Sequence, residues 1–227
     1  SISKPYGDFV LIYSKLSLDL SIDGLSNTII MDNDNYCLLL HNNGTWINDN
    51  LLLFGITYRD PKCFNINNLG SIPGSYTCIM KTTESIIIAN DPFNLCPLYY
   101  FIENDKIIVS NCYHILLISL KQLDIDLNLN YKKILALLSV PGTQFMLQNF
   151  TDEMDIAGVK QLNSYENIIL SNGNCRIKLN DIGDILQSNP QIDNYEQLLN
   201  EATNEIKNNI LNTADKTILV EDLSGGI

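Results

Sequence analysis

Apolar and polar positions change places in short runs along the chain, and each run stops at turn-forming residues. Residues 9–13 form an apolar run that reads as a first strand. From 36 to 110 the runs come in pairs. Residues 36–40 face 45–53 across Asn42-Asn43-Gly44, 75–80 face 86–89 across Thr82-Thr83-Glu84-Ser85, and 98–102 face 107–110 across Glu103-Asn104-Asp105-Lys106. Short strands joined by short turns pair antiparallel, which predicts a sandwich or layered sheet. Residues 1–35 otherwise give little, and Asp32-Asn33-Asp34-Asn35 is turn material.

The period lengthens after residue 110. Residues 112–120 predict a helix. A second helix opens near Asn130 and carries Tyr131, Ile134, Leu135 and Leu138 at helical spacing, with Val140-Pro141-Gly142 to end it. The clearest hairpin follows: 167–170 turns at Asn172-Gly173 into 175–179. There Cys175, Ile177 and Leu179 alternate with Arg176 and Lys178, which predicts one buried and one solvated face.

Residues 181–194 read as a linker, rich in Asn, Asp, Gly and Pro. Beyond it, Asp193 and Glu196 form a capping-box-like pair, and Leu198, Leu199, Ala202, Ile206 and Ile210 share one helical face. Residues 213–216 break that pattern, and 217–223 form an apolar strand running into Ser224-Gly225-Gly226-Ile227. Helix, short turn, apolar strand and Gly-Gly form the opening of a doubly wound α/β domain. The expected organisation is a first domain over 1–180, a linker over 181–194, and the start of a second domain over 195–227.

Composition narrows the function classes. With 227 residues, 45% of them hydrophobic, the chain can bury a core. Its 14 basic side chains against 26 acidic ones give a net charge of -12, which argues against nucleic acid and anionic membranes as partners. Cysteines at 37, 63, 78, 96, 112 and 175 form no C-x-x-C and mostly sit in apolar runs, as buried thiols in a reducing compartment do. Cys112 and His114 lack a second ligand pair and His41 is isolated, so no metal site is expected. The N-terminal residues have no apolar signal core, and the longest apolar stretch, 107–120, is interrupted by Ser110, Asn111 and His114. A cytoplasmic protein is expected.

The terminal glycine loop suits phosphate. Gly225 and Gly226 lack a Cβ and let an anion approach the backbone, where N–H donors and the Ser224 hydroxyl can meet it.

Several segments, in order, resemble the asparagine synthetase family. Asp91-Pro92-Phe93-Asn94-Leu95-Cys96-Pro97-Leu98-Tyr99-Tyr100 is similar to that family's Asp-x-x-Gly-x-x-Pro-Leu-Tyr-Tyr. Asn94 replaces the glycine and is the residue that best tolerates left-handed φ after it. Ser110 fits a strand-to-helix segment whose glutamate has no match here, Val140-Pro141-Gly142-Thr143 looks like the Val-Pro-Gly turn, and Gly158-Val159-Lys160-Gln161-Leu162 looks like the start of the Gly-Ile-x-x-Leu-Pro-x-Gly-His segment, with Asn163, Ser164, Tyr165 and Glu166 in place of its last four residues. Ser224-Gly225-Gly226 closes the series. The resemblance covers about residues 70 to 227. It implies an α+β, Ntn-hydrolase-like layered antiparallel β sandwich, followed by the first helix and strand of the synthetase domain. The first 70 residues depart from the pattern. The family's glutaminases begin Cys-Gly-Ile, whereas this chain begins Ser1-Ile2-Ser3, and Asn43-Gly44-Thr45-Trp46-Ile47-Asn48 only echoes a glutamine-binding run.

The activity implied is ATP-dependent amide formation, with carboxylate adenylation followed by amine attack, beside an inactive glutaminase domain. Leu223, Ser224, Gly225 and Gly226 would line the AMP/pyrophosphate site, with ATP and Mg²⁺ as implied cofactors. Ser1 is a catalytic candidate only as a native N-terminus, where it would act as an N-terminal nucleophile. Asp222, acidic before Leu-Ser-Gly-Gly, points towards the β-lactam synthetase and lasso-peptide cyclase branch. The implied partner is a small-molecule or peptide carboxylate, with a homodimer left open. The alternatives are a cyclising synthetase that uses no glutamine, and a non-catalytic domain that binds a peptide or partner. The residues 1–227 alone are expected not to turn over.

Overall fold

The computed structural model describes residues 7–15, 20–32, 35–57, 60–70, 72, 74–103, 106–139, 151–164, 166–171 and 173–179, together with Asn200, Thr203, Asn204 and Lys207. Chain order is β1 (Phe9–Ser14), β2 (Ser26–Asp32), β3 (Asn35–His41), β4 (Thr45–Asn48), β5 (Leu51–Thr57), a single 3₁₀ turn (Pro61–Cys63), β6 (Gly74–Lys81), β7 (Ile86–Asn90), β8 (Tyr99–Glu103) and β9 (Lys106–Ser110). Helices α1 (Tyr113–Gln122) and α2 (Tyr131–Ser139) follow, then β10 (Val159–Gln161), β11 (Glu166–Ser171) and β12 (Asn174–Leu179).

The strands form two six-stranded sheets. One has the order β10-β8-β9-β1-β3-β2 and the other β12-β11-β7-β6-β5-β4. Among the described residues every strand pairing is antiparallel. Alternate residues of each strand serve different layers, as the period of two requires. Phe9, Leu11 and Tyr13 meet Leu52, Phe54, Ile79 and Ile88 between the sheets. Val10, Ile12, Leu38 and Ile108 face outward and are covered by Leu116 and Leu120 of α1. On the other outer face Leu51, Leu53, Tyr76 and Cys78 lie under Phe64, Leu69 and Ile72 of the irregular segment after β5. Both faces of β1 are therefore covered, which is why all six of its residues are buried. The chain is an α+β protein built mainly of two layered antiparallel sheets.

Three predicted hairpins form as expected: β6–β7, β8–β9 and β11–β12. The fourth does not. β3 pairs with β1 and β2, while β4 belongs to the other sheet, so Asn42-Asn43-Gly44 carries the chain between sheets. The expected strand 45–53 is two strands split at Asp49-Asn50, where Asn48 Oδ1 accepts the Asn50 N–H at 2.8 Å. Burial explains the difference. Residues 37–40 are all buried and need cover on both faces, whereas β4 is a mostly exposed sheet edge. β2 was not expected. It makes the Asp32-to-Asn35 turn part of a hairpin with β3.

The alternation of β12 is real, but its burial is not. Cys175 packs on the inter-sheet core, whereas Ile177 is 37% and Leu179 60% exposed, because β12 is an edge strand running out past that core. The helices expected over 112–120 and from near 130 both form. Val140-Pro141-Gly142, the linker 181–194 and the strand 217–223 lie outside the described residues. Asn200, Thr203, Asn204 and Lys207 are helical and exposed, inside the segment expected to be a helix. Among the described residues no helix is long and apolar enough to cross a membrane.

Candidate functional site

The end of the sandwich at which the chain enters β1 gathers the buried polar groups. β7 stops at Asn90, and the chain reverses over the next residues around a fully buried Asp91. The Asp91 carboxylate accepts the backbone N–H groups of Phe93 at 3.0 Å, Leu95 at 3.1 Å and Cys96 at 2.9 Å. Three donors compensate for burying an acceptor-only group. Asn94 takes φ +55°, at the position where the family pattern has glycine. Its side chain accepts from Asn90 Nδ2 at 2.5 Å and donates to the Leu162 carbonyl at 3.2 Å. Leu162 N–H in turn donates to Leu98 O at 2.7 Å, which ties the turn to the end of β10. At the other end of β10, Gly158 has φ +82°, and a Cβ there would lie 2.9 Å from the Phe101 ring.

The start of β1 is clamped by two asparagines. Asn42 Oδ1 accepts the Asp8 N–H at 2.6 Å, and Asn111 accepts from Phe9 N–H at 2.9 Å while donating to Gly7 O at 2.8 Å. The Phe9 and Phe54 rings stack at 4.7 Å and join the two sheets. Phe54 pairs across strands with Thr77, and Thr77 with Asn90, so all three point between the sheets. Thr77 Oγ1 and Asn90 Oδ1 are buried there without a hydrogen-bond partner. Each such group costs about 1–3 kcal/mol. A bound water or the N–H of a small polar ligand would offset that. His41 is half-buried with its ring edge-on to Phe54 at 6.1 Å, and burial lowers its pKa below the ordinary imidazole value.

No family model matches the chain, and no curated protein matches it closely enough to count as a relative.

The expected site residues divide accordingly. Ser1, Leu223, Ser224, Gly225 and Gly226 lie outside the described residues. At the start of β1 stand Gly7 and Asp8, neither of them a hydroxyl or thiol nucleophile. Ser110 is structural: its Oγ reaches Phe9 O at 2.5 Å and Cys112 O at 3.0 Å and accepts the Cys112 N–H at 3.0 Å, turning the chain into α1. Cys112 is half-buried, but His114 is exposed rather than held in the core. Among the described residues no group of three His, Cys, Asp or Glu side chains could hold a metal. None of the six cysteines is in a disulfide: Cys37 and Cys78 are buried, but Cys63 is exposed. Burial pushes the Cys175 thiol up to about 11, away from thiolate reactivity at neutral pH.

Thr77 and Asn90 were missed in the sequence. Both occupy positions whose strand neighbours two residues away, Ile79 and Ile88, face the inter-sheet core. A polar residue in phase with buried ones was the available signal.

Proposed function

We propose that the chain carries the N-terminal part of an ATP-dependent amide-forming ligase of the asparagine synthetase superfamily. Its layered sandwich is an Ntn-type glutaminase domain that has lost glutamine hydrolysis, and residues 195–227 open the synthetase domain. The observation that carries this reading is Asn94. It adopts left-handed φ in a turn built on the Asp91 carboxylate, which is what a family pattern with glycine at that position requires. Gly158 adds support, since a second position of the resemblance is also left-handed and crowded.

In this reading Leu223, Ser224, Gly225 and Gly226 hold the AMP and pyrophosphate portions of ATP, with Mg²⁺ supplying charge neutralisation. The substrate carboxylate is activated as its adenylate with release of pyrophosphate. An amine, free or already on the substrate, then displaces AMP.

The test is carboxylate-dependent pyrophosphate release by the protein at its natural length, screened with amino acids and peptides. Release that requires a carboxylate and is abolished by Gly225→Val is expected. No dependence on any carboxylate tried counts against the ligase. Glutamate release from glutamine should equal background and be unchanged by Ser1→Ala. A rate above background that Ser1→Ala removes would restore the glutaminase.

A further inference from the structure

The two sheets end in four edge strands, β10, β2, β12 and β4. An open edge offers unpaired N–H and C=O groups to any strand that meets it, and proteins shorten or bulge their edges to prevent this. β10 has three residues. β4 has four, and its register with β5 shifts between Trp46 and Asn48. β2 is continuous over seven residues but carries a single charge, Asp32. β12 is continuous too. Its six residues pair with β11 without a break, from Leu179 opposite Glu166 to Asn174 opposite Ser171, and among the described residues no strand lies on its other side.

The two faces of β12 differ in chemistry. Cys175, Ile177 and Leu179 share one face, where Cys175 packs on the core and Ile177 and Leu179 stay exposed. Arg176 and Lys178 share the other face. Both are exposed and neither has an ion-pair partner. Opposite them on β11 stand Ile169 and Asn167, so that side supplies no carboxylate. In a chain with a net charge of -12, a strand with two basic side chains and no acidic one reverses the local sign.

We propose that the outer edge of β12 takes an acidic extended peptide as an added strand. Main-chain hydrogen bonds along the edge supply affinity, and the alternating side chains supply selection. Residues opposite each other on one face of a sheet touch. The fitting peptide therefore sets Asp or Glu against Arg176 and Lys178, and apolar residues against Ile177 and Leu179, in alternation over about five or six residues. Charge disfavours a second β12 in that place. Two copies paired antiparallel, apolar residue opposite apolar residue, set basic side chains against basic ones, as with Arg176 against Lys178 when the pairing centres on Ile177. Like charges directly opposite are destabilising. No residue of β12 enters the ligase reading, so the inference is independent of it.

Fluorescence anisotropy on the whole chain tests the proposal, with a labelled octapeptide of alternating Val and Glu as the probe. Binding is expected, and the double variant Arg176→Glu, Lys178→Glu should weaken it about 10-fold. The same variant should gain affinity for an octapeptide of alternating Val and Lys, which a loss of folding could not produce. No binding of the Val–Glu peptide up to about 1 mM overturns the proposal, and so does binding that ignores the charge reversal. Hydrogen exchange followed by NMR gives a second check. Without peptide, alternate amides of β12 should exchange freely, and adding the Val–Glu peptide should protect them. Protection of every β12 amide without peptide also overturns the proposal, because the chain itself or a second copy would then be the occupant.

Discussion

Two turns at the same end of the sandwich each hold an asparagine in the left-handed region, Asn94 at φ +55° and Asn43 at φ +49°. They are held by different means. The turn after β7 is built around one carboxylate of its own segment, since Asp91 accepts from backbone groups two, four and five residues further on, with Asn94 tying it to Leu162. The crossing from β3 to β4 is held from outside. Its Asn42 side chain bonds Asp8, 34 residues away. Gly7 lies so close that a Cβ on it would overlap the Asn42 carbonyl oxygen, and a Cβ on Gly44 would lie 2.8 Å from the Phe54 ring. The charged centre of the first turn lies within its own segment. The second draws its side-chain bond from the approach to β1 and its close packing from Phe54 of β5.

Removing the centre of the local turn should have the largest effect. Asp91→Ala leaves three backbone donors without their charged acceptor, and should lower unfolding free energy by about 3 kcal/mol in urea titration. A loss under about 1 kcal/mol would mean that the turn is held by its surroundings after all. Gly7→Ala attacks the crossing through its neighbour and should cost about 2 kcal/mol by overpacking. Asn94→Ala should cost about 1.5 kcal/mol and Asn94→Gly much less, because glycine keeps the left-handed conformation and loses only the side-chain bonds. Equal losses from the two would shift the weight to the bonds with Asn90 and Leu162. Thr77 lies between the two turns with its hydroxyl unpartnered, so Thr77→Val should raise stability by up to about 1 kcal/mol.

The smallest expected effect is on pH dependence. His41 has its pKa lowered by burial, so the unfolded chain takes up its proton first as the pH falls. The stability it contributes is present above about pH 6.5 and is lost as the pH drops from there towards its lower folded value. His41→Gln should flatten that part of a stability–pH curve, and an unchanged slope would assign the dependence to other groups.

The same division decides what could be read from the residues. Left-handed Asn94 was foreseeable because its environment is spelled out between Asp91 and Leu98. Asn42-Asn43-Gly44 has the composition of a hairpin turn, and nothing adjacent says that β3 and β4 belong to different sheets. The clue was instead in burial: Cys37-Leu38-Leu39-Leu40 is apolar without alternation, and such a strand needs a cover on each face. β2 is hidden for a related reason, since the turn residues at 42–44 offer β3 a neighbour in β4. The glycine loop was legible as chemistry but lies outside the described residues. Thr77 and Asn90 were hidden because a buried polar side chain in a strand looks locally like a solvent-facing one.

The place of β1 has a cost in time. It pairs with β3 on one side and with β9 on the other, Val10 lying opposite Ser110. Hairpins such as β2–β3 close in about 1–10 μs. The partner on the other side of β1 is synthesised 100 positions later, which at roughly 5–20 residues per second takes about 5–20 s. For that interval a strand buried at every residue is an open sheet edge on the ribosome, available to any other unpaired strand it meets.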